Sequence, residues 1–251
     1  MPVDWPVFHV IVVLFVATLV RSSFGFGEAL IAVPLLALIM PVEQAAPLAV
    51  LVSITIAFVI LLQDWRLVHL RSTGWLVGST LAGIPLGLVL LRTVPESIVK
   101  AILAAIIIAF SAYSLTGRHN RELKDDRFAW FFGFNAGVLG GAYGMNGPPL
   151  AIYGALRRWP PEYFRATLQA YFFPASIAGM AGYSLTGLWT PAVNHFYMVS
   201  LPGVLIATFL GRSLNRRMAK RQFIAYVYAG LIAIGVVLLL QAIGGWSKVL
   251  R

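Results

Sequence analysis

Long apolar runs separated by short charged or proline-containing joints set the pattern of the chain. A helix that crosses a bilayer needs about 20 predominantly apolar residues. Six stretches meet or approach that length: 45–63, 75–92, 98–115, 163–186, 194–211 and 223–243. Two regions break the pattern. At 7–40 the apolar run stops at "RSSFGFGE" and resumes as "ALIAVPLLALIM"; at 128–156 "FAWFFGFNAGVLGGAY" gives way to "GMNGPP" and resumes as "LAIYGAL". The arms of these regions run to about 12–16 residues, too short for a comfortable crossing but suited to half-helices or re-entrant hairpins.

The two broken regions keep a common register. At an offset of 119, Phe24-Gly25 lies over Tyr143-Gly144, Ala32 over Ala151, Pro41 over Pro160 and Glu43 over Glu162. After a further shift of five, Gly87 and Arg92 lie over Gly211 and Arg216. Three expected crossings follow each break. The pattern predicts an all-α polytopic membrane protein with two related halves, each a Gly-rich hairpin plus three transmembrane helices. The organisation expected is an N-terminal repeat over 1–116, a charged linker over 117–127 and a C-terminal repeat over 128–251, all in one membrane domain. Paired interrupted segments in matching positions of two halves point to a transporter's binding site.

Composition agrees. Hydrophobic residues make up 59% of the 251 and charged residues 11%, against about 45–50% and 25% in soluble domains. The net charge of +10 reads as basic cytoplasmic loops rather than nucleic-acid binding, since basic and aromatic residues are not interleaved. Placing those charges constrains the topology. If both broken regions simply crossed, the loop Lys and Arg would divide eight to ten. If 128–156 enters and returns to the same side, the basic clusters at 66–71, 118–127, 157–165 and 212–221 share that side, and the division is fourteen to four. The positive-inside rule selects the second arrangement. Loops 64–74, 116–127, 157–165 and 212–222 are then cytoplasmic. If 7–40 is a hairpin as well, the halves are inverted repeats, the hairpins enter from opposite faces and both termini lie outside. The N-terminus, without a basic segment before its apolar run, reads as a membrane segment rather than a signal peptide.

Unwound backbone at membrane depth is tolerated only where protein or a wet cavity receives it. In the second break Asn146 suits an N-cap, and Pro148 and Pro149 suit a first helical turn. In the first, Gly25 and Gly27 loosen the chain before a helix restarts near Glu28. Helix starts present free N–H groups and partial positive charge, a ready anion site. The expected substrate-binding residues are Phe24, Gly25, Phe26, Gly27, Gly144, Met145, Asn146, Gly147, Pro148 and Gln169. Tight hairpin packing would also explain the glycines. Arg21 and Glu28 flank the first break; intramembrane charges find partners and are usually functional, so Glu28 either carries a coupled proton or pairs with Arg21. Gln169 either faces a cavity or makes an interhelical hydrogen bond. Ser53 and Thr55 are expected to bond backbone or pack.

Other chemistry is argued against. There is no cysteine, no HExxH, no Ser/His/Asp set and no GxxxxGK[ST] loop. His9, His69, His119 and His195 form no i, i+4 pair, so no metal and no other cofactor is expected. His69 and His119 are expected to be loop residues.

The strings "FGFGEALIAVPLLAL", "PVEQAAPL" and "GGAYGMNGPPLAIYGALRRWPPEYFRATLQAYF" resemble the TauE/SafE sulfite exporter family, over about residues 10–243. The resemblance implies a bacterial inner-membrane carrier of small sulfur-containing anions, such as sulfite, sulfonates and thiosulfate, moved outward with the proton gradient. By position Gly25, Gly27, Gly144 and Gly147 match the family's glycine motifs. Glu28 departs from a pattern in which many members have a glycine run there. The alternatives are a carrier of another small organic anion and a non-transporting membrane scaffold.

Overall fold

The computed structural model describes residues 5–116, 123, 125–215, 231–233, 235–240 and 242–243. The regular elements among them are helical. They are α1 (Trp5–Phe24), α2 (Glu28–Leu36), α3 (Val42–Asp64), a 3-10 turn (Trp65–Leu67), α4 (Leu70–Thr93), α5 (Glu96–Thr116), α6 (Ala129–Tyr143), α7 (Gly147–Leu156), α8 (Pro161–Leu185) and α9 (Pro191–Asn215). Among the described residues, four helical segments are both long and apolar enough to cross a bilayer: Val42–Leu62, Leu70–Thr93, Glu96–Thr116 and Pro191–Gly211. The expected span at 163–186 is a helix of 25 residues, but the polar residues of "RATLQAY" leave it less apolar than those four. The expected span at 223–243 lies outside the described residues, apart from short pieces. So do residues 216–221 of the last basic cluster and most of the linker.

Both breaks fall where the glycines and prolines put them, and of the arms α6 keeps to the expected 12–16 residues while the other three do not. α1 has 20 residues and α6 has 15, whereas α2 has nine and α7 ten. α1 starts early because Pro6 is tolerated in a first helical turn. α7 stops at Leu156, shortly before Trp159-Pro160, where the residue preceding a proline disfavours helix. Gly144 ends α6 in the left-handed conformation (φ 65°). Its N–H and that of Met145 bond back to the Gly140 and Leu139 carbonyls at 2.9 and 3.2 Å, a glycine-terminated helix end.

The 119-residue register reappears in the elements. α2 and α7 begin 119 residues apart, as do α3 and α8, and α1 and α6 end 119 apart. The packing is exchanged between the halves: α6 packs most extensively on α4, and α1 on α9. Gly83, Gly87, Gly133, Gly137 and Gly141 bring α4 and α6 together so closely that an added Cβ would strike backbone of the other helix. Thr80 Oγ1 also donates to the Gly133 carbonyl at 2.8 Å. Gly211 of α9 meets Ser22 and the Leu19 carbonyl of α1 in the same way. Such close approach stabilises helix pairs through van der Waals contact, the main driving force available in lipid.

The α6–α7 hairpin returns to the end from which it starts. Leu123 N–H donates to the Leu156 carbonyl at 2.9 Å. Asp126 Oδ1 accepts from Tyr153 of α7 at 2.7 Å and from Ser72 of α4 at 2.8 Å, with Arg157 at 3.5 Å. Burial pushes the Asp126 carboxyl up, but these hydrogen bonds and the Arg157 charge outweigh it and hold the group below its ordinary value. His69 lies in the loop before α4, as expected, and is the N-cap of that helix. Its Nδ1 accepts from Ser72 at the start of α4, and its ring lies 6.1 Å from that of Trp159. The loops around 66–71, 123–127 and 157–159 therefore meet at one end of the bundle, the grouping that the charge count favours.

Candidate functional site

Arg21, one turn before the end of α1, is 2% exposed, and Glu28, the first residue of α2, is 1% exposed. A charge so buried needs partners. Arg21 Nη1 lies 2.9 Å from Glu28 Oε2 and donates to Ser53 Oγ of α3 at 2.6 Å. Its Nη2 donates to Gln169 Oε1 of α8 at 2.8 Å, and the guanidinium lies 4.6 Å from the centre of the Phe172 ring. Gln169 Nε2 donates in turn to the Gly25 carbonyl at 2.7 Å. Four helices thus hold the first break through one cation.

Of the two roles open to Gln169, the structure has the interhelical hydrogen bond. Ser53 corrects the expectation of simple packing: it accepts from Arg21 and from Ser176 Oγ, the latter at 3.2 Å. A serine within an apolar helix gives no sign of a charge arriving from 32 residues away, so the sequence offered no signal for it. Thr55 bonds the Leu51 carbonyl, as expected, and also Tyr197 OH at 2.7 Å.

The two breaks meet around one cavity of about 20 Å³, about the room one water needs. From the first break Phe26, Gly27, Glu28 and Arg21 line it; from the second, Gly144, Asn146, Gly147 and Pro148 do. Ala29 and Leu30 of α2, with Ser53 and Phe172, complete the wall. Ser53 is the twelfth residue of α3, about 16 Å along it at 1.5 Å per residue, near half the thickness of a hydrocarbon core of about 30 Å.

Of the expected residues, Gly25, Met145 and Gln169 are not among those that line this cavity. Gly25 packs against Arg165 of α8, whose Cγ an added Cβ would meet at 3.1 Å. Met145 is fully buried in the apolar core. Phe24 closes α1, and its side chain lies outside the described residues. Asn146 holds the N-cap position of α7 but does not cap it with its side chain. Its ψ of −7° is helical, whereas a capping side chain reaches back from an extended residue. It faces the cavity instead. Gly27 fills the corresponding position before α2 with φ 101°, a conformation only glycine adopts readily. Neither helix start is capped by a side chain; α2 leaves its first backbone N–H groups beside the cavity, whereas Pro148 and Pro149 carry none and leave α7 fewer, that of Gly147 among them.

The sulfite exporter TauE/SafE family model matches residues 10–238 of the chain. The chain belongs to the TauE/SafE family. It is therefore a multi-pass membrane transporter and not an enzyme. It is 28% identical over 185 residues to a probable sulfite/organosulfonate exporter TauE of Cupriavidus necator, covering 73% of this chain and 71% of that protein. It is also 30% identical over 113 residues to a probable membrane transporter protein YunE of Bacillus subtilis, covering 44% of this chain and 40% of that protein. No solved structure matches. Within TauE/SafE membership, the matched range takes in both breaks and every residue around the cavity.

Proposed function

We propose that this TauE/SafE protein is a proton-coupled secondary carrier that exports small sulfur-containing anions such as sulfite, sulfonates or thiosulfate across the bacterial inner membrane. The observation that carries the reading is a cavity bounded by both breaks. Two uncapped helix starts and a guanidinium converge there at mid-depth, an electrostatic setting for an anion. Sulfur enters from the kinship with a probable sulfite/organosulfonate exporter. At about 20 Å³ the cavity admits no sulfur oxyanion without movement, which fits a carrier between its open states.

The alternating-access frame is an inverted repeat, with α1–α2 entering from one face and α6–α7 from the other. Its support is the 119-residue register and the exchanged packing of α1 on α9 and α6 on α4. Orientation follows the loop charges: basic loops inside, both termini outside.

Flux of labelled sulfite, thiosulfate, taurine and acetate into proteoliposomes, with and without a pH gradient, tests the carrier. Flux of the sulfur anions that responds to the gradient is expected. No flux of any of the four anions would sink the reading, and acetate alone would move it to another class of carrier.

A further inference from the structure

Arg21 and Glu28 are attached to the protein unequally. The guanidinium is fixed by three neutral anchors, Ser53, Gln169 and the Phe172 face. The carboxylate, at the first residue of α2 beside the glycine turn, has Arg21 as its partner among the described residues. Two buried atoms of the pair have no hydrogen-bond partner, Arg21 Nε and Glu28 Oε1, and both residues line the cavity. A buried ion pair is favourable only when its remaining protons and lone pairs are also satisfied. Here the cation is secured without the anion, and the anion is not secured without the cation.

We propose that the Glu28 carboxylate is a resident stand-in for the transported anion, and that substrate takes its place on Arg21 as Glu28 accepts a proton. The inference rests on the carrier reading above and names its ligand. A sulfonate or sulfite offers the guanidinium the paired oxygens that a carboxylate offers, so the exchange keeps the charge-assisted bond. The charge also balances. One negative group leaves the guanidinium as a neutral acid, its proton drawn from the aqueous side, and one negative group arrives. One proton thereby accompanies each anion bound and balances one of its negative charges, a dianion such as thiosulfate bringing a second, and a carboxylate beside an anion no longer opposes it. The charged group facing Glu28 is Arg21 from α1; Arg165 of α8 packs its stem against Gly25. At the cavity α3 presents Ser53, and the second break and α7 present Asn146, Gly147 and Pro148, none of which titrates.

The test uses the full chain in proteoliposomes, with sulfite, thiosulfate and taurine flux measured between pH 6 and 8. For wild type, the KM should rise with pH and an entrapped pH dye should report protons moving with the anion. Glu28→Gln should flatten that dependence, lower the KM at pH 8 by at least about fivefold, a typical coupling between linked sites, and abolish the accompanying proton movement. A Glu28→Gln carrier with wild-type pH dependence overturns this inference and leaves the carrier reading standing. No flux of any of the three anions by wild type overturns both. Removing one partner of a buried pair can disrupt folding, so the wild-type measurement also stands alone. Thiosulfate does not titrate near neutral pH, and sulfur-anion flux without proton movement in wild type overturns the exchange.

Discussion

Gln169 uses both ends of its amide on the first break, accepting from Arg21 and donating to the Gly25 carbonyl. An asparagine would be too short to reach both, and an apolar side chain would leave a buried donor and a buried acceptor unpaired. Each such orphan costs about 1–3 kcal/mol. Gln169→Leu should therefore lower stability by about 2–6 kcal/mol, read as an earlier thermal unfolding in detergent. Equal melting of the leucine variant and wild type would show that the network is not what holds the break. At this scale the sequence was uneven. Arg21, Glu28 and Gln169 stand out as polar residues in apolar surroundings, because lipid penalises them unless they are paired. Ser53 and Phe172 do not, since a serine or a phenylalanine is ordinary in a membrane helix and their meeting is decided by tertiary packing.

The glycines of the elements divide by what surrounds them. Gly141 faces α4 backbone, where an added Cβ would lie near the Ile84 carbonyl, 3.0 Å from Leu88 N and 3.1 Å from Gly87 Cα. Backbone cannot rotate away, so Gly141→Ala should push α6 from α4 and cost about 1–3 kcal/mol, as overpacking does. Gly147, at the start of α7, has nothing within 4 Å of an added Cβ. Gly147→Ala should change anion flux at the cavity and lose less stability than Gly141→Ala, its cost limited to crowding of a helical residue by the Pro148 ring. If the two variants melt alike, close helix approach is not the source of the α4–α6 contact. The breaks themselves were legible because glycine and proline punctuate a helix whatever surrounds it. The role of Asn146 was not. Residue type suggests a cap, but capping is decided by the backbone angles at that residue, and these follow from the Gly144 turn two residues earlier.

Across the whole molecule, the partners of the helices carry more about direction than their lengths do. Phe15 lies by Gly203 and Ser22 by Gly211, so α1 runs parallel to α9. Gly133 lies by Leu76 and Gly141 by Ile84, so α6 runs parallel to α4. α9 and α4 follow equivalent crossings in the two halves, and opposite directions for them would send the two hairpins in from opposite faces. Single cysteines can test this, because the native chain has none. Asp125 precedes the second hairpin, Tyr163 follows it, and Asn194 opens α9; all three are exposed. In intact cells a membrane-impermeant thiol reagent should spare cysteines at 125 and 163 and label the one at 194. A single crossing by 128–156 would instead put 125 and 163 on opposite sides, so labelling of just one of them would refute the re-entrant hairpin. Labelling of 163 and 194 from the same side would refute α8 as a crossing, and the odd number of crossings per half that inverts the repeat would go with it.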